Sequence, residues 1–458
     1  MRNFTTTIAL LSLTATALGS SQTDARLTPG QMEEDLFALS ESLLQRHAGR
    51  LRYATEEELD LVFGDALVEA SEERTVLEFY RSVARILSTV RCGHTRLQLA
   101  RGLESEVLDA GGLMPFDVHL DGDRAWILHS YDPALEAGAE IGSINGRSIA
   151  EIRSRAFAMM AGDGFIESGK ERNLARRFGR FYVLLIQEPS ERGRAYEILL
   201  ADAQKPVEVA GLTSAEYSER RVAPPQRPLI ATAVFPEDKL GLLQVSQFGD
   251  RTGEASFTEQ LESAFSVLNE SGVENLAIDL RGNGGGTDDY GALLVSYMAT
   301  RKFSYFERIE VTPEYDGPGG IVEKGDRRLV TAHRSLDPWM PAPKRFEGEI
   351  FLLEDGWTFS TAADVATVAH HNGFATLVGQ ESGGGYDGNT SGSSHRMALP
   401  TSGIRVNVPM WMYTTANVGH DHFARGAIPH HPVRPTIADA LSGRDAELDL
   451  VRGLIQAR

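Results

Sequence analysis

The sequence predicts an α/β protein whose second half is a strand–helix core, preceded by a helical region and a β-rich segment. Three observations carry this. Apolar residues recur at helical spacing through residues 28–90. Short alternating runs separated by turn signals follow between residues 108 and 155. From Leu240 onward, buried strand-like runs alternate with amphipathic helical runs, the pattern of a sheet with helices on its faces.

Composition bounds the function classes. The chain has 458 residues, enough for two or three domains, and its 42% hydrophobic and 24% charged content is that of a soluble globular protein. A net charge of -19 argues against nucleic acid as the main partner and against an anionic membrane surface. Cys92 is the single cysteine, so no intrachain disulfide forms. Residues 1–19 read as a cleaved signal peptide: Arg2 gives the positive start, Ile8 to Leu18 a short apolar stretch, and Ala17-Leu18-Gly19 the small residues before Ser20. That stretch is too short to span a bilayer and no later run is long enough, so a periplasmic or extracellular location without membrane insertion is expected.

In chain order, residues 27–102 form the helical region, with Leu36, Leu39, Leu43 and Leu44 on a first stripe and Phe79, Val83, Ile86 and Leu87 on a later one. It ends in Val90-Arg91-Cys92-Gly93-His94-Thr95, where Gly93 breaks the helix and sets His94 on a turn entering a strand. Residues 108–155 alternate over Phe116–Leu120, turn at Asp121-Gly122-Asp123 and form a second strand over Ala125–Leu128. The following stretch, with Ile144-Asn145-Gly146, resembles the carboxyl half of a PDZ module, where a peptide adds to a sheet edge. Residues 156–235 are a connecting segment closed by the linker Pro224-Pro225-Gln226-Arg227-Pro228. The core occupies 236–440, and a C-terminal helix 441–458.

Within the core, Glu349–Leu353 is a buried strand and Ala362, Val365, Ala366 and Ala369 mark a helix. Ser360 stands between them. A serine there can cap the helix with its hydroxyl. It can also act as a nucleophile, with helix-start N–H groups beside it to hold an oxyanion.

The glycine turn Gly282-Asn283-Gly284-Gly285-Gly286 after the strand ending at Leu280 is not a nucleotide loop. Thr287 stands in the third glycine position of GxGxxG, no lysine follows, and Asp288 and Asp289 would repel phosphate. The turn serves either positive φ alone or the display of backbone N–H groups to one developing negative oxygen. His420-Asp421-His422 and His430-His431 offer imidazoles at short spacing, but no glutamate-containing histidine motif accompanies them and no metal is assigned. Cys92 is two residues from His94; it reads as a small buried hydrophobe, with a thiol nucleophile as the alternative.

The order of the motifs RCGHT, INGRS, IDLRGNGGG, TFSTAADVA and VGQESGGGYDG, closed by Gly426-Ala427-Ile428-Pro429, resembles the tail-specific (C-terminal processing) serine protease family, including its tricorn-like members, over nearly the whole chain after the leader. The resemblance implies a crotonase-like β/α core, a peptide or unfolded-protein substrate, no cofactor, and Ser360 as nucleophile. It implies the Thr361 N–H and a glycine of the 282–286 turn, Gly284 or Gly285, as oxyanion donors, and Gly383 and Gly384 at the substrate. The better-known branch uses a serine–lysine dyad, and its lysine would fall at Gly385. The tricorn-like branch uses a histidine, which the GHT motif places at His94, with Gly93 where that branch has a serine. For the orienting carboxylate the expected residue is Asp421, with Glu381 behind it. A histidine base further predicts a peptidase rate that rises through one ionisation near neutrality. The alternative to an enzyme is a silent family member that binds peptides.

Overall fold

The structure, a computed structural model, describes residues 25–193, 195–222, 226–325, 327–419 and 422–457. The expected leader at 1–19, Pro224 and Pro225 of the linker, and His420 and Asp421 lie outside them.

Three helices open the chain: Pro29–Arg46 (α1), Glu56–Glu69 (α2) and Val76–Thr89 (α3). Each starts at a threonine, Thr28, Thr55 or Thr75, whose hydroxyl accepts the N–H of the third helical residue. The side chain of that residue, Gln31, Glu58 or Glu78, accepts the threonine N–H in return. Each reciprocal cap contributes about 1 kcal/mol. After α3 the chain turns at Arg91, with φ 53°, and passes through His94 into a short strand, Arg96–Gln98 (β1).

The β-rich region is an antiparallel sheet of Phe116–Asp121 (β2), Arg124–Ser130 (β3), Glu140–Ile144 (β4), Tyr196–Leu200 and Val207–Val209. Arg147–Ser148 (β5) is a side strand on β4; the last two, β6 and β7, continue the order β2-β3-β4-β6-β7. The sheet thus draws two strands from beyond residue 155. Helices Ile149–Phe157 (α4) and Glu167–Arg176 (α5) lie between β5 and β6, and the loop joining them carries Asp163.

The core runs Ile230–Phe235 (β8), Leu240–Val245 (β9), Phe257–Glu270 (α6), Asn275–Asp279 (β10) and Asp288–Met298 (α7). Next come Phe306–Val311 (β11), Val322–Lys324 (β12), Arg327–Leu329 (β13), Glu349–Glu354 (β14), Thr361–Asn372 (α8) and Thr376–Gly379 (β15). Thr390–Ala398 (β16), Arg405–Thr415 (β17), His431–Pro432 (β18) and Ala446–Gln456 (α9) complete it. One sheet has the order β8-β9-β10-β14-β15-β18, parallel from β9 to β18 with β8 antiparallel at the edge. Its strands are apolar on both faces because both are covered. Leu276, Ile278, Leu352 and Leu377 pack against Leu261 and Phe265 of α6, Leu294 and Val295 of α7 and Val365 of α8. Ala277, Phe351, Leu353 and Val378 pack against Leu448 and Val451 of α9.

A second core sheet, β12-β13-β11-β17-β16, falls in stretches where the sequence pattern announces no strand. Its long hairpin β16–β17 joins the two halves of the molecule. Strand β1 pairs antiparallel with β17 through Arg96↔Asn407, Leu97↔Val406 and Gln98↔Arg405. Leu399, Ile404, Val406 and Val408 belong to the apolar core of the N-terminal half. The turn bearing His94 is therefore fastened to the core, beside the carboxyl ends of its parallel strands, where α/β sheets place their ligands.

Candidate active site

Strand β14 ends in Glu354, and Asp355 to Phe359 form a tight turn before α8. Asp355 Oδ1 accepts the N–H groups of Gly282 and Trp357, both at 2.9 Å, and Thr358 Oγ1 donates to the Leu280 carbonyl at 3.1 Å. The Phe359 N–H reaches the Asn283 carbonyl at 3.0 Å. These bonds weld the turn before α8 to the glycine turn after β10. Ser360 is left at φ 56°, ψ -134°, a region that non-glycine residues avoid. Its hydroxyl makes no capping bond to α8. Instead Ser360 Oγ lies 3.1 Å from His94 Nε2.

His94 is half-buried and stacks on Phe359, with ring centroids 4.5 Å apart. Its carbonyl accepts from Asn407 Nδ2 at 3.1 Å, so β17 holds its backbone. Gly93 is required by this stacking, since a Cβ there would stand 2.8 Å from Phe359 Cζ. A serine before the histidine has no room here. Burial, with a smaller contribution from Arg96, pushes the imidazole down to about 3. The ring is neutral at neutral pH and can accept the Ser360 proton, but its own ionisation falls well below the near-neutral value expected from an exposed imidazole. For Nε2 to accept, the proton must sit on Nδ1, which is buried and has no partner among the described residues.

The glycine turn approaches from the other side. A Cβ on Gly285 would stand 2.6 Å from Ser360 Cβ and 3.0 Å from the Thr361 nitrogen, and Gly285 has φ 97°. Only glycine fits. The Gly285 N–H is already donated to Asn283 Oδ1 at 2.8 Å. Gly284 is exposed beside Trp357, and no described residue accepts its N–H or that of Thr361, the first of α8. Gly383 and Gly384 are both buried behind the serine. The Gly383 N–H donates to Thr358 O at 2.9 Å, and a Cβ on Gly384 would stand 3.2 Å from the Ser360 nitrogen. At Gly385, where a dyad lysine would stand, a Cβ would come within 2.7 Å of the Tyr53 hydroxyl.

The carboxylates fall as follows. Asp421 lies outside the described residues. Glu381 is held by Arg425 at 2.8 and 2.7 Å and by the Gly426 N–H at 2.9 Å. Asp163, which the sequence pattern does not single out, is only 2% exposed, and its Oδ1 accepts the Gly93 N–H at 2.7 Å. One ligand atom each of Cys92, His94 and Asp163 lies within 4.8 Å of the others. The Cys92 thiol is buried, is pushed up to about 12 chiefly by that burial, and points at the Thr390 carbonyl at 3.5 Å. It stays protonated and makes a poor nucleophile. His422 and His430 flank His370, with centroids 5.7 and 4.7 Å away. His430 Nδ1 accepts the Leu377 N–H at 3.0 Å, which leaves the proton on Nε2 and that nitrogen unable to ligate a metal.

A neutral imidazole on the hydroxyl of a strained serine, flanked by unpaired N–H groups, can carry acyl transfer. Residues 239–433 match the family described as Peptidase family S41. The fold is similar to that of mature CPAF, at 14% identity and a TM-score of 0.66 over 93% of this chain and 97% of that chain. It is likewise similar to mature CPAF complexed with lactacystin, at 15% identity and a TM-score of 0.67 over 93% and 98%. No curated protein matches in sequence. The molecule is a serine-type peptidase with a mixed helix-and-sheet fold. The part of the chain that carries Ser360 matches the tail-specific proteases of family S41.

Proposed function

We propose that the protein is a secreted or periplasmic endopeptidase of the histidine-dependent, tricorn-like branch. His94 Nε2 takes the Ser360 proton as Oγ attacks the peptide carbonyl; the Gly284 and Thr361 N–H groups hold the oxyanion; His94 returns the proton to the leaving amine, and water releases the acyl group from Ser360. The 3.1 Å contact between Ser360 Oγ and His94 Nε2 carries this reading. The steric exclusion of any side chain at Gly385 supports it against a serine–lysine dyad. In this reading the parallel sheet is a crotonase-like core, and the sheet begun by 108–155 is a PDZ-like module that docks an extended peptide of an unfolded substrate.

The test is incubation with an unstructured protein, followed by mass analysis of the products. Internal cleavage that vanishes in Ser360→Ala is expected. Binding without cleavage by the wild type would overturn the reading in favour of a silent peptide-binding member.

A further inference from the structure

His94 is oriented for catalysis only if something accepts its Nδ1 proton. A buried N–H without an acceptor is unfavourable, and a free ring can flip to the tautomer that offers Ser360 a proton instead of a lone pair. Asp163 is the described carboxylate placed to serve. It lies in the α4–α5 loop and is almost wholly buried. A carboxylate oxygen of Asp163 lies within 4.8 Å of a His94 ring nitrogen, a gap that a small side-chain rotation or one bridging water spans. The same carboxylate grips both sides of the site. Oδ1 takes the Gly93 N–H at 2.7 Å, beside the base. Oδ2 takes the Gly385 N–H at 3.3 Å, next to the glycine that packs on the Ser360 nitrogen. The loop is itself anchored, by Gly164 N–H to the Arg91 carbonyl at 3.1 Å and Phe165 N–H to the Ala424 carbonyl at 2.8 Å.

From this geometry, and resting on the Ser360–His94 reading above, we propose that Asp163 is the positioning residue of the reaction, orienting His94 through Nδ1 and stabilising the imidazolium that forms. Asp163 touches no substrate; it acts through His94. Cys92, the other neighbour, keeps its proton and adds no charge. The charged and titratable groups around Asp163 are Arg52 and Tyr53 from the loop after α1, Cys92 and His94 from the turn before β1, Asp387 from the loop before β16, and Asp364 of α8. Arg96 and Ser360 face His94. Burial, helped by Asp387 and opposed by the Gly93 N–H, Arg52 and the Gly385 N–H, raises the Asp163 carboxyl to about 6. The carboxyl is therefore protonated below that pH and ionised above it. Peptidase activity should rise as Asp163 ionises, giving a limb near pH 6 that belongs to the Asp163–His94 pair.

The experiment is kcat, KM and the pH profile of kcat/KM for wild type, Asp163→Asn and His94→Ala on one unstructured peptide. Asp163→Asn keeps the acceptor for Gly93. It should lower kcat about 100-fold or more, leave KM within about threefold, and abolish the limb near pH 6. A merely structural role would lower activity and leave the limb in place, which would overturn the inference. Where Asp163→Asn does not fold, wild type labelled with ¹⁵N-histidine decides. His94 should carry its proton on Nδ1 and show an inflection near pH 6, and its absence would overturn the proposal. His94→Ala separates the two readings. Full activity in that variant removes the base itself, whereas loss there with a normal Asp163→Asn removes only the positioning role.

Discussion

Ser360 and His94 sit 3.1 Å apart, yet they are held in opposite ways. The serine is fixed from within one sheet. Strand β14, the turn after it and the glycine turn after β10 are bonded to one another through Asp355, Thr358 and Asn283, all buried. The histidine is brought from the other half of the chain, on a turn secured by β1 pairing to β17, one bond from Asn407 and one to Asp163. The nucleophile's geometry is therefore built within one sheet, by contacts 73 to 78 residues apart in sequence, and the base's mainly by contacts to β17, as far as 313 residues away. Changes that part the two turns on the serine side should alter folding and chemistry together, whereas removal of the His94 side chain should alter chemistry with the core intact.

The largest effect belongs to Ser360→Ala, which removes the nucleophile and leaves the Cβ and the backbone at φ 56° as they are. Peptide hydrolysis should fall by about 10⁴-fold or more while the melting temperature stays the same. His94→Ala should cost about 10³-fold or more with the circular dichroism spectrum unchanged, because no apolar core residue is lost. Gly285→Ala tests the serine side: a methyl 2.6 Å from Ser360 Cβ forces the two turns apart. We expect about 1–3 kcal/mol of destabilisation in a urea titration, with a drop in kcat/KM of about 10-fold or more. An active, fully stable Gly285→Ala would show that the weld between the turns is not what sets the serine.

Much of the serine side was legible in the sequence, because strand, turn and helix follow one another within a dozen residues and hydrophobic periodicity reads such units directly. Asn283 and Asp355 were not legible as partners, since a polar residue in a turn carries no mark of what it bonds. The GHT turn announced itself, but what holds it did not. Strands β16 and β17 alternate weakly, with Gly392, Ser393 and Pro409 within them, so the hairpin that joins the halves gives no periodic signal. Asp163 sits in a loop whose role comes only from tertiary contact. Asp421, favoured for the orienting role by sequence position, remains outside the described residues.

Smaller effects sharpen the contrast. Cys92→Ser lies on the histidine side but outside the chemistry, so kcat/KM should stay within about threefold while stability falls by about 1–2 kcal/mol, read from the urea midpoint. Loss of turnover in a well-folded Cys92→Ser, with Ser360→Ala active, would reverse the choice of nucleophile. On the serine side, Glu354 is wholly buried and neither carboxylate oxygen has a partner among the described residues. Burial, with repulsion from Glu381 and Asp355, raises its folded pKa well above the ordinary carboxylate value. The protonated form is the one the fold holds, so its contribution is intact below the unfolded pKa and is lost as pH rises through the folded one. Glu354→Gln should gain stability over wild type with rising pH, by about 2–4 °C in melting temperature at the alkaline end, and show no gain in acid.

Fluorophosphonate labelling tests the dyad most directly. The probe forms a stable adduct only with an activated serine, and digestion followed by mass analysis places it. We predict a single adduct on Ser360, formed about 100-fold or more slowly in His94→Ala than in the wild type. An adduct on another residue, or one formed on Ser360 at an undiminished rate without His94, would contradict the assignment of His94 as the base.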